Sequence, residues 1–204
     1  MRFWARNLLL FLSCLSLVSL AGAQALPTAT QLMQLSVFGG FTGADVHLVG
    51  TRNLGATAGV DLGIGRYFGL QPALELRGTY ATDGRVVSSQ KSALVGGRVA
   101  RTYGRLQPYV DALFGRGILD YGLGGYPNPN FTLLYTHTAG NVISGGAGGN
   151  LAVTEHFGAK ADFQYQRFST PVTASHHIHS EPLTFGVVYL FDFNRHAKID
   201  KRMR

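Results

Sequence analysis

The last third of the chain holds a group of side chains that could bind a metal ion. His176, His177 and His179 form a His-His-x-His segment that is followed closely by Glu181. Neutral imidazoles at this spacing can ligate a transition metal, with a carboxylate as a further ligand. A solvated polar loop has the same composition, so the segment marks a candidate loop metal site without predicting a cofactor.

A second group could carry out acid–base chemistry. Asp120 and His137 flank a segment rich in Gly, Pro and Asn, and Ser144 or Ser92 could supply a hydroxyl nucleophile. A catalytic arrangement depends on distances that spacing along the chain does not give. We therefore expect no enzyme, and keep a lipid-modifying enzyme as an alternative.

Residues 145–150, Gly-Gly-Ala-Gly-Gly-Asn, resemble a phosphate-binding loop but lack a following helix. A strand with one small face explains them better.

The third group consists of charged residues that lie on the polar faces of alternating segments. It contains Asp61, Glu75, Arg77, Arg98, Asp111, Lys160 and Asp162. Four acids and three bases can neutralise one another almost completely, and unpaired buried charges are costly. If these faces point into one lumen, the sequence predicts a charge network that plugs it.

The elements that would position these groups are strands. Residues 54–65 alternate strictly between an apolar face and a face of Gly, Thr and Asp, which no helix would produce. The same reading gives eight strands, near 33–43, 54–65, 71–80, 91–101, 107–119, 140–153, 158–168 and 182–193. Short turns alternate with longer loops between them. This arrangement predicts an all-β, eight-stranded, antiparallel up-and-down transmembrane β-barrel with short periplasmic turns and longer extracellular loops.

Strand length and aromatic placement favour a membrane barrel over a soluble one. The predicted strands are close to the roughly 9 to 11 residues that cross a bilayer at a steep tilt. Aromatic residues gather at both ends of the strands, as in interfacial girdles. On the turn side these are Tyr67, Phe68, Tyr103, Phe157, Phe191 and Phe193; on the loop side they are Tyr80, Tyr121, Tyr135, Tyr165 and Phe168. The apolar faces should then contact lipid.

The two ends of the chain differ from this barrel region. Residues 1–23 have two arginines, an apolar run and small residues at the end, which is the order of a cleaved signal peptide. Residues 24–31 would form a periplasmic segment, and residues 194–204 a basic periplasmic tail. Most of the net charge of +7 lies in these ends, so a nucleic-acid-binding surface is not predicted.

Residues 32–193 resemble the small eight-stranded outer-membrane barrels of the outer membrane protein A and opacity-protein type. The resemblance rests on Ser-Val-Phe-Gly-Gly-Phe at 36–41, Gly-Arg-Leu-Gln-Pro-Tyr at 104–109 and the alternating strand 183–193. It implies that the segment from Leu183 to Phe193 is read by the barrel-assembly machinery.

These features together predict an integral multi-pass protein of the cell outer membrane, exported through a cleaved signal peptide. Its role would be structural or interactive: envelope integrity, adhesion, or contact of extracellular loops with an unidentified ligand. Tyr126 and Phe131 in the third loop are candidate contact residues. Outer-membrane lipids and lipopolysaccharide are expected partners. A small low-conductance pore is a further alternative.

Overall fold

A computed structural model describes residues 34–48, 51–82, 86–122 and 124–191. The predicted signal peptide, N-terminal segment and basic tail lie outside the described residues, as does Phe193 at the end of the predicted assembly signal. Within the described ranges, no helix is long and apolar enough to cross a bilayer.

The described chain is built from strands. Eight long strands form the main sheet: β1 (Gln34–Val46), β2 (Thr51–Gly63), β3 (Leu70–Thr82), β4 (Val87–Arg101), β5 (Leu106–Tyr121), β8 (His137–Ala152), β9 (Phe157–Ser169) and β10 (His177–Phe191). Two short strands, β6 (Tyr126–Pro127) and β7 (Leu134–Tyr135), pair with each other in the connection between β5 and β8.

The main sheet closes on itself. Each long strand pairs with its sequence neighbours, and β1 pairs antiparallel with β10 from Leu35↔Phe191 to Val46↔Ser180. The closed barrel leaves no free edge among the eight strands, as a membrane requires of β structure. The predicted eight-stranded antiparallel barrel is confirmed.

Two tight turns at one end of the barrel repeat the same geometry. Tyr67 and Leu70 exchange two backbone hydrogen bonds of 2.9 Å, and Tyr103 and Leu106 exchange bonds of 2.7 and 3.0 Å. Gly104 has φ of 60° within the second turn, a conformation that glycine adopts without a Cβ penalty. Each turn leads into a Leu-Gln-Pro strand start, so a local sequence repeat produces a repeated hairpin.

The strands are longer than predicted, and nearly all of the extra length lies at the loop end. The first strand continues to Val46 rather than ending near residue 43, β8 begins at His137 rather than near 140, and β10 begins at His177 rather than near 182. Segments predicted as long loops are therefore partly barrel wall, and the barrel extends beyond the apolar part of its outer surface.

Glycines on the inner face make room for large inward-pointing side chains. A Cβ added to Gly59 would collide with the Phe38 ring, and one added to Gly148 would come 2.5 Å from the Tyr109 hydroxyl. The residues 145–150 lie within β8, so their small inner face serves packing inside a narrow cylinder.

Candidate functional site in the barrel lumen and at the extracellular rim

The part of the lumen nearer the tight turns contains the predicted charged residues, here called the charged layer: Asp61, Glu75, Arg77, Arg98, Asp111, Lys160 and Asp162. All seven are buried, with 0 to 7% of their surface exposed. They come from strands β2, β3, β4, β5 and β9, and alternation along each strand points them all inward.

Arg77 lies at the centre of the charged layer. Its guanidinium nitrogens lie 2.6 Å from a Glu75 carboxylate oxygen and 2.7 Å from one of Asp162, and Asp111 lies 3.9 Å away. One planar guanidinium with five donors can serve several carboxylates at once. Gln164 adds neutral support, because its amide nitrogen donates to Asp111 at 2.9 Å and to Asp162 at 2.9 Å.

A second ion pair lies beside this cluster. Arg98 pairs with Asp61, which also accepts a hydrogen bond of 3.3 Å from the Ser36 hydroxyl. The Arg98 guanidinium lies 3.8 Å from the centroid of the Tyr109 ring. A cation over an aromatic face is stabilised most when water is excluded, so this stacking fixes Arg98 within the lumen.

Lys160 departs from the predicted pairing. Among the described residues, no carboxylate lies within ion-pair distance of its ammonium and no hydrogen-bond acceptor contacts it. Its Nζ instead lies 3.8 Å from the Phe38 ring centroid and 4.5 Å from that of Tyr109. Arg77 engages three of the four acids and Arg98 the fourth, which leaves Lys160 to the aromatic faces.

Uncharged polar side chains lie between the charged layer and the loop end of the barrel. Thr42 is hydrogen-bonded to Thr57 at 2.6 Å and to Thr184 at 2.8 Å. Further up, Gln90 donates to Gln166 at 3.2 Å and accepts from Ser180 at 2.9 Å. The threonine bonds tie β1 to its sheet neighbours β2 and β10, whereas the bonds of Gln90 join β4 to β9 and β10, which are not its neighbours, and so brace the wall across the lumen.

Apolar side chains fill much of the loop end of the lumen, beside buried polar residues such as Thr138 and Thr170, although the sequence had predicted that the apolar faces contact lipid. We call this region the apolar plug. It comprises Val46, Leu48, Val87, Leu94, Leu113, Leu119, Tyr121, Val142, Phe168, Val172 and Ile178. Phe168 is 1% exposed, and a Cβ on Gly117 would meet its ring at 2.5 Å. The plug is therefore a close-packed core inside the barrel.

The outer surface changes character at the same level. Beside the charged layer and the middle of the barrel, β9 and β10 expose Phe163, Phe185 and Val187. At the loop end of the plug the outward positions are mostly polar, as with His177 and His179 on either side of inward Ile178. Lower down, the plug member Leu94 is in register with Arg77, and the wall outside is still apolar, as at Phe114. The outer wall thus changes from apolar to mostly polar towards the loop end, where the upper part of the plug fills the lumen.

This inversion corrects part of the predicted aromatic girdle. Tyr121 and Phe168 are 6% and 1% exposed and belong to the apolar plug, and Tyr135 packs against it. Tyr80 and Tyr165 do face outward, with 55% and 47% of their surface exposed. Their position near strand ends had predicted that all five lie at the membrane surface. Sequence position alone does not reveal the level of the barrel at which aromatic side chains turn inward.

The three loop histidines do not converge on one point. His177 accepts a 2.6 Å hydrogen bond from Arg167, His179 stacks on the Tyr165 ring at 5.2 Å, and His176 occupies a turn with φ of 58°. No group of three His, Cys, Asp or Glu side chains in the described part of the chain is arranged to hold a metal ion.

Asp120 and His137 are paired across β5 and β8 in register. The Asp120 carboxylate, however, accepts hydrogen bonds from Ser89 and, at 2.9 Å, from Lys91. Ser144 lies inside the barrel and donates to Gln164 at 2.7 Å, and Ser92 is also buried. The structure therefore separates the candidate hydroxyls from the candidate acid–base pair.

The third loop carries an ordered hairpin above the plug. Strands β6 and β7 pair Tyr126 with Tyr135, and both tyrosines pack against the apolar plug. At the tip, the Asn128 side-chain oxygen accepts backbone hydrogen bonds from Thr132 at 2.9 Å and Leu133 at 3.2 Å. This geometry leaves Phe131, Leu133 and Leu134 exposed by 83, 59 and 62%.

A closed barrel with an apolar outer belt, a filled lumen and polar loops at one end defines an integral membrane protein of the outer-membrane β-barrel class.

No family model matches the sequence, and no curated protein matches it significantly. Solved structures do resemble it. The crystal structure of Neisserial surface protein A has 18% identity and a TM-score of 0.50, covering 80% of this chain and 99% of that one.

A second similar structure is that of Ail, the attachment invasion locus protein of Yersinia pestis, in complex with the heparin analogue sucrose octasulfate. It has 13% identity and a TM-score of 0.52, and the match covers 79% of this chain and 100% of Ail. At such low identity the likeness establishes the fold, which is that of the small eight-stranded outer-membrane barrels.

Proposed function

We propose that this protein is a non-conducting outer-membrane barrel that presents the third-loop hairpin to a surface ligand. The observation that carries the proposal is the exposed tip formed by Phe131, Leu133 and Leu134. Large apolar side chains grouped on an exposed loop are common in recognition sites. The hairpin that holds them is already ordered, so a ligand would not have to restrict a flexible loop on binding.

The filled lumen supports the non-conducting part of the proposal. The charged layer brings seven buried charges together across the lower lumen, and the apolar plug closes the loop end with packed side chains. We propose that these two layers act as a structural brace and a barrier. Planar-bilayer recordings of the refolded protein should show no steady conductance, and a constant open current would identify a pore.

An attachment role is consistent with the fold neighbour Ail, which is described as an attachment invasion locus protein and was crystallised with a heparin analogue. For the present chain, we propose ligand contact through an apolar tip rather than through a sulfated sugar site. Contact with outer-leaflet lipid and lipopolysaccharide, and recognition of the closing strand by the barrel-assembly machinery, are part of the same proposal.

The experiment that tests this function compares bacteria displaying the wild-type barrel with bacteria displaying Phe131→Ser together with Leu134→Ser. Both side chains are exposed and neither belongs to the apolar plug, so folding should be preserved, which heat-modifiable gel mobility checks. We expect adhesion to host-cell and matrix-coated surfaces to fall severalfold in the double variant. The matched control is Leu54→Ser, an exposed apolar residue on β2, which should leave adhesion unchanged. Equal adhesion of all three strains would contradict the proposed role of the tip.

A further inference from the structure

Two arginines on the outer face of the barrel lie where the surface changes from apolar to polar. Arg116 on β5 and Arg167 on β9 are both exposed and point away from the lumen. Arg116 is in register with Asn141 on β8, and Arg167 with Ile143 on the same strand. Neighbouring strands are about 4.8 Å apart and the partners of the two arginines are two residues apart along β8, so the two arginine positions are roughly 12 Å apart on the wall.

The acids of this rim already have other basic side chains as partners. Asp120 pairs with Lys91 at 2.9 Å, Asp45 with Arg52 at 3.7 Å and Glu181 with His47 at 3.4 Å. The contacts found for the two arginines are neutral. Arg116 lies 3.4 Å from the Asn141 side-chain oxygen, and Arg167 donates to the His177 ring. In the described ranges, neither arginine has a carboxylate within ion-pair distance.

The surroundings place both guanidinium groups at the level of lipid headgroups. Immediately nearer the middle of the barrel, the same strands expose Phe114 and Tyr165, with Ile143 between them on β8. A cationic side chain costs about 2 to 4 kcal/mol at the bilayer midplane but almost nothing near the interface. The long loops are on this side, so the interface in question is that of the outer leaflet.

A shallow cleft, open to the outside, lies on the wall next to Arg116. Its lining includes Arg116, Asn141, Ser169 and His176. A guanidinium, an amide, a hydroxyl and an imidazole can all donate hydrogen bonds to an anion. Phosphate is well suited to such a set, because charge-assisted bonds from arginine to phosphate are short and directional.

We propose that Arg116 with Asn141, and Arg167 with His177, bind the two phosphate groups of a diphosphorylated glycolipid in the outer leaflet. One phosphate occupies the cleft at Arg116 and the other contacts Arg167, while the acyl chains lie on Phe114, Ile143 and Phe163 below. The apolar surface directly beneath the arginines favours a lipid over free phosphate. This inference deepens the lipid contact made under the proposed function and does not depend on the third-loop tip.

The test measures binding of diphosphoryl lipid A to the refolded mature protein in detergent micelles, by native mass spectrometry. The variants are Arg116→Gln, Arg167→Gln and the double substitution. Each lost charged hydrogen bond should weaken binding about tenfold, and the double variant should lose nearly all of it. Arg52→Gln is the matched control, because it removes an exposed rim arginine that already has an acid partner. Heat-modifiable mobility reports that each variant is folded.

Three results would overturn the proposal. Equal affinity of the double variant and the wild type would show that the arginines do not bind the lipid. Equal binding of dephosphorylated lipid A would exclude phosphate recognition. Inorganic phosphate binding as tightly as the lipid would identify a free-anion site instead. The Phe131→Ser, Leu134→Ser variant should retain lipid binding, which separates this site from the proposed ligand contact of the loop.

Discussion

The charged layer and the apolar plug occupy one lumen, yet they are packed by opposite chemistry. Beside the charged layer, the outer wall exposes residues such as Phe185 and Val187. At the loop end of the plug, the outer wall is mostly polar and Phe168 and Ile178 turn inward. At the level of the lipid, apolar side chains avoid water by pointing outward into the membrane. Above that level the outer surface is in water, so apolar side chains avoid water only by pointing into the lumen.

The difference teaches how the lumen stays closed along its length. In the charged layer, closure depends on a few connected pairs around Arg77, so the loss of one member leaves others unpaired. In the apolar plug, closure depends on many small contacts, so the loss of one side chain leaves a cavity in a structure that otherwise persists. Substitutions in the two regions should therefore destabilise the barrel in different ways.

The largest effect is expected for Arg77→Leu. It removes the partner of Glu75 and Asp162, each of which is at most 2% exposed, and the cost of leaving buried carboxylates unpaired is about 4 kcal/mol. Urea unfolding of the refolded barrel in lipid vesicles measures the loss. Arg101→Gln, an outward arginine at the turn end of β4, serves as the control. A loss below about 1 kcal/mol would show that water or protonation compensates for Arg77.

A somewhat smaller effect is expected for Phe168→Ala in the apolar plug. Removing a fully buried ring from a packed core costs about 3 kcal/mol. The matched control is Phe163→Ala on the same strand, whose side chain is 45% exposed and faces outward. Lipid chains can fill the space left there, so the control should lose less. If both variants unfolded at the same urea concentration, the plug would not differ from the lipid-facing wall.

The smallest of the three effects tests the outer surface. Phe185→Arg places a cation on the apolar belt and should destabilise the folded barrel by about 2.5 kcal/mol. Thr82→Arg makes the same change on the exposed face near the loop end of β3 and should shift stability by no more than about 0.5 kcal/mol. Similar losses at the two positions would mean that the boundary between belt and rim lies elsewhere.

Much of this architecture could be read from the residue pattern. Strict alternation over 54–65 predicted a strand, and the even number of such segments with alternating connection lengths predicted an up-and-down barrel. Alternation also placed the seven charged residues on one set of faces. The sequence pattern predicts the shared face because side chains of any extended strand alternate with period two, whichever strands lie beside it.

The loop end of the strands was harder to predict. Residues 177–181, His-Ile-His-Ser-Glu, also alternate between the two faces, but here Ile178 and Ser180 point inward and the two histidines and Glu181 point outward. At membrane level, the apolar positions of a strand face outward to lipid. A segment that lacks such positions is therefore interpreted from sequence as a polar loop. The proximity of Arg116 and Arg167 at the rim could not be predicted either, because they are 51 positions apart in the sequence and become neighbours only through β8.

The sequence alone determined that the chain alternates, how many barrel strands it forms and which residues share a face, because these follow from local backbone geometry. Only the tertiary structure decided which carboxylates Arg77 contacts, why Lys160 contacts aromatic rings instead of an acid, and at which level the outer surface of the barrel changes from apolar to polar. Those outcomes depend on strands that are distant in sequence and on the level of each residue along a closed cylinder, neither of which is encoded in any single segment.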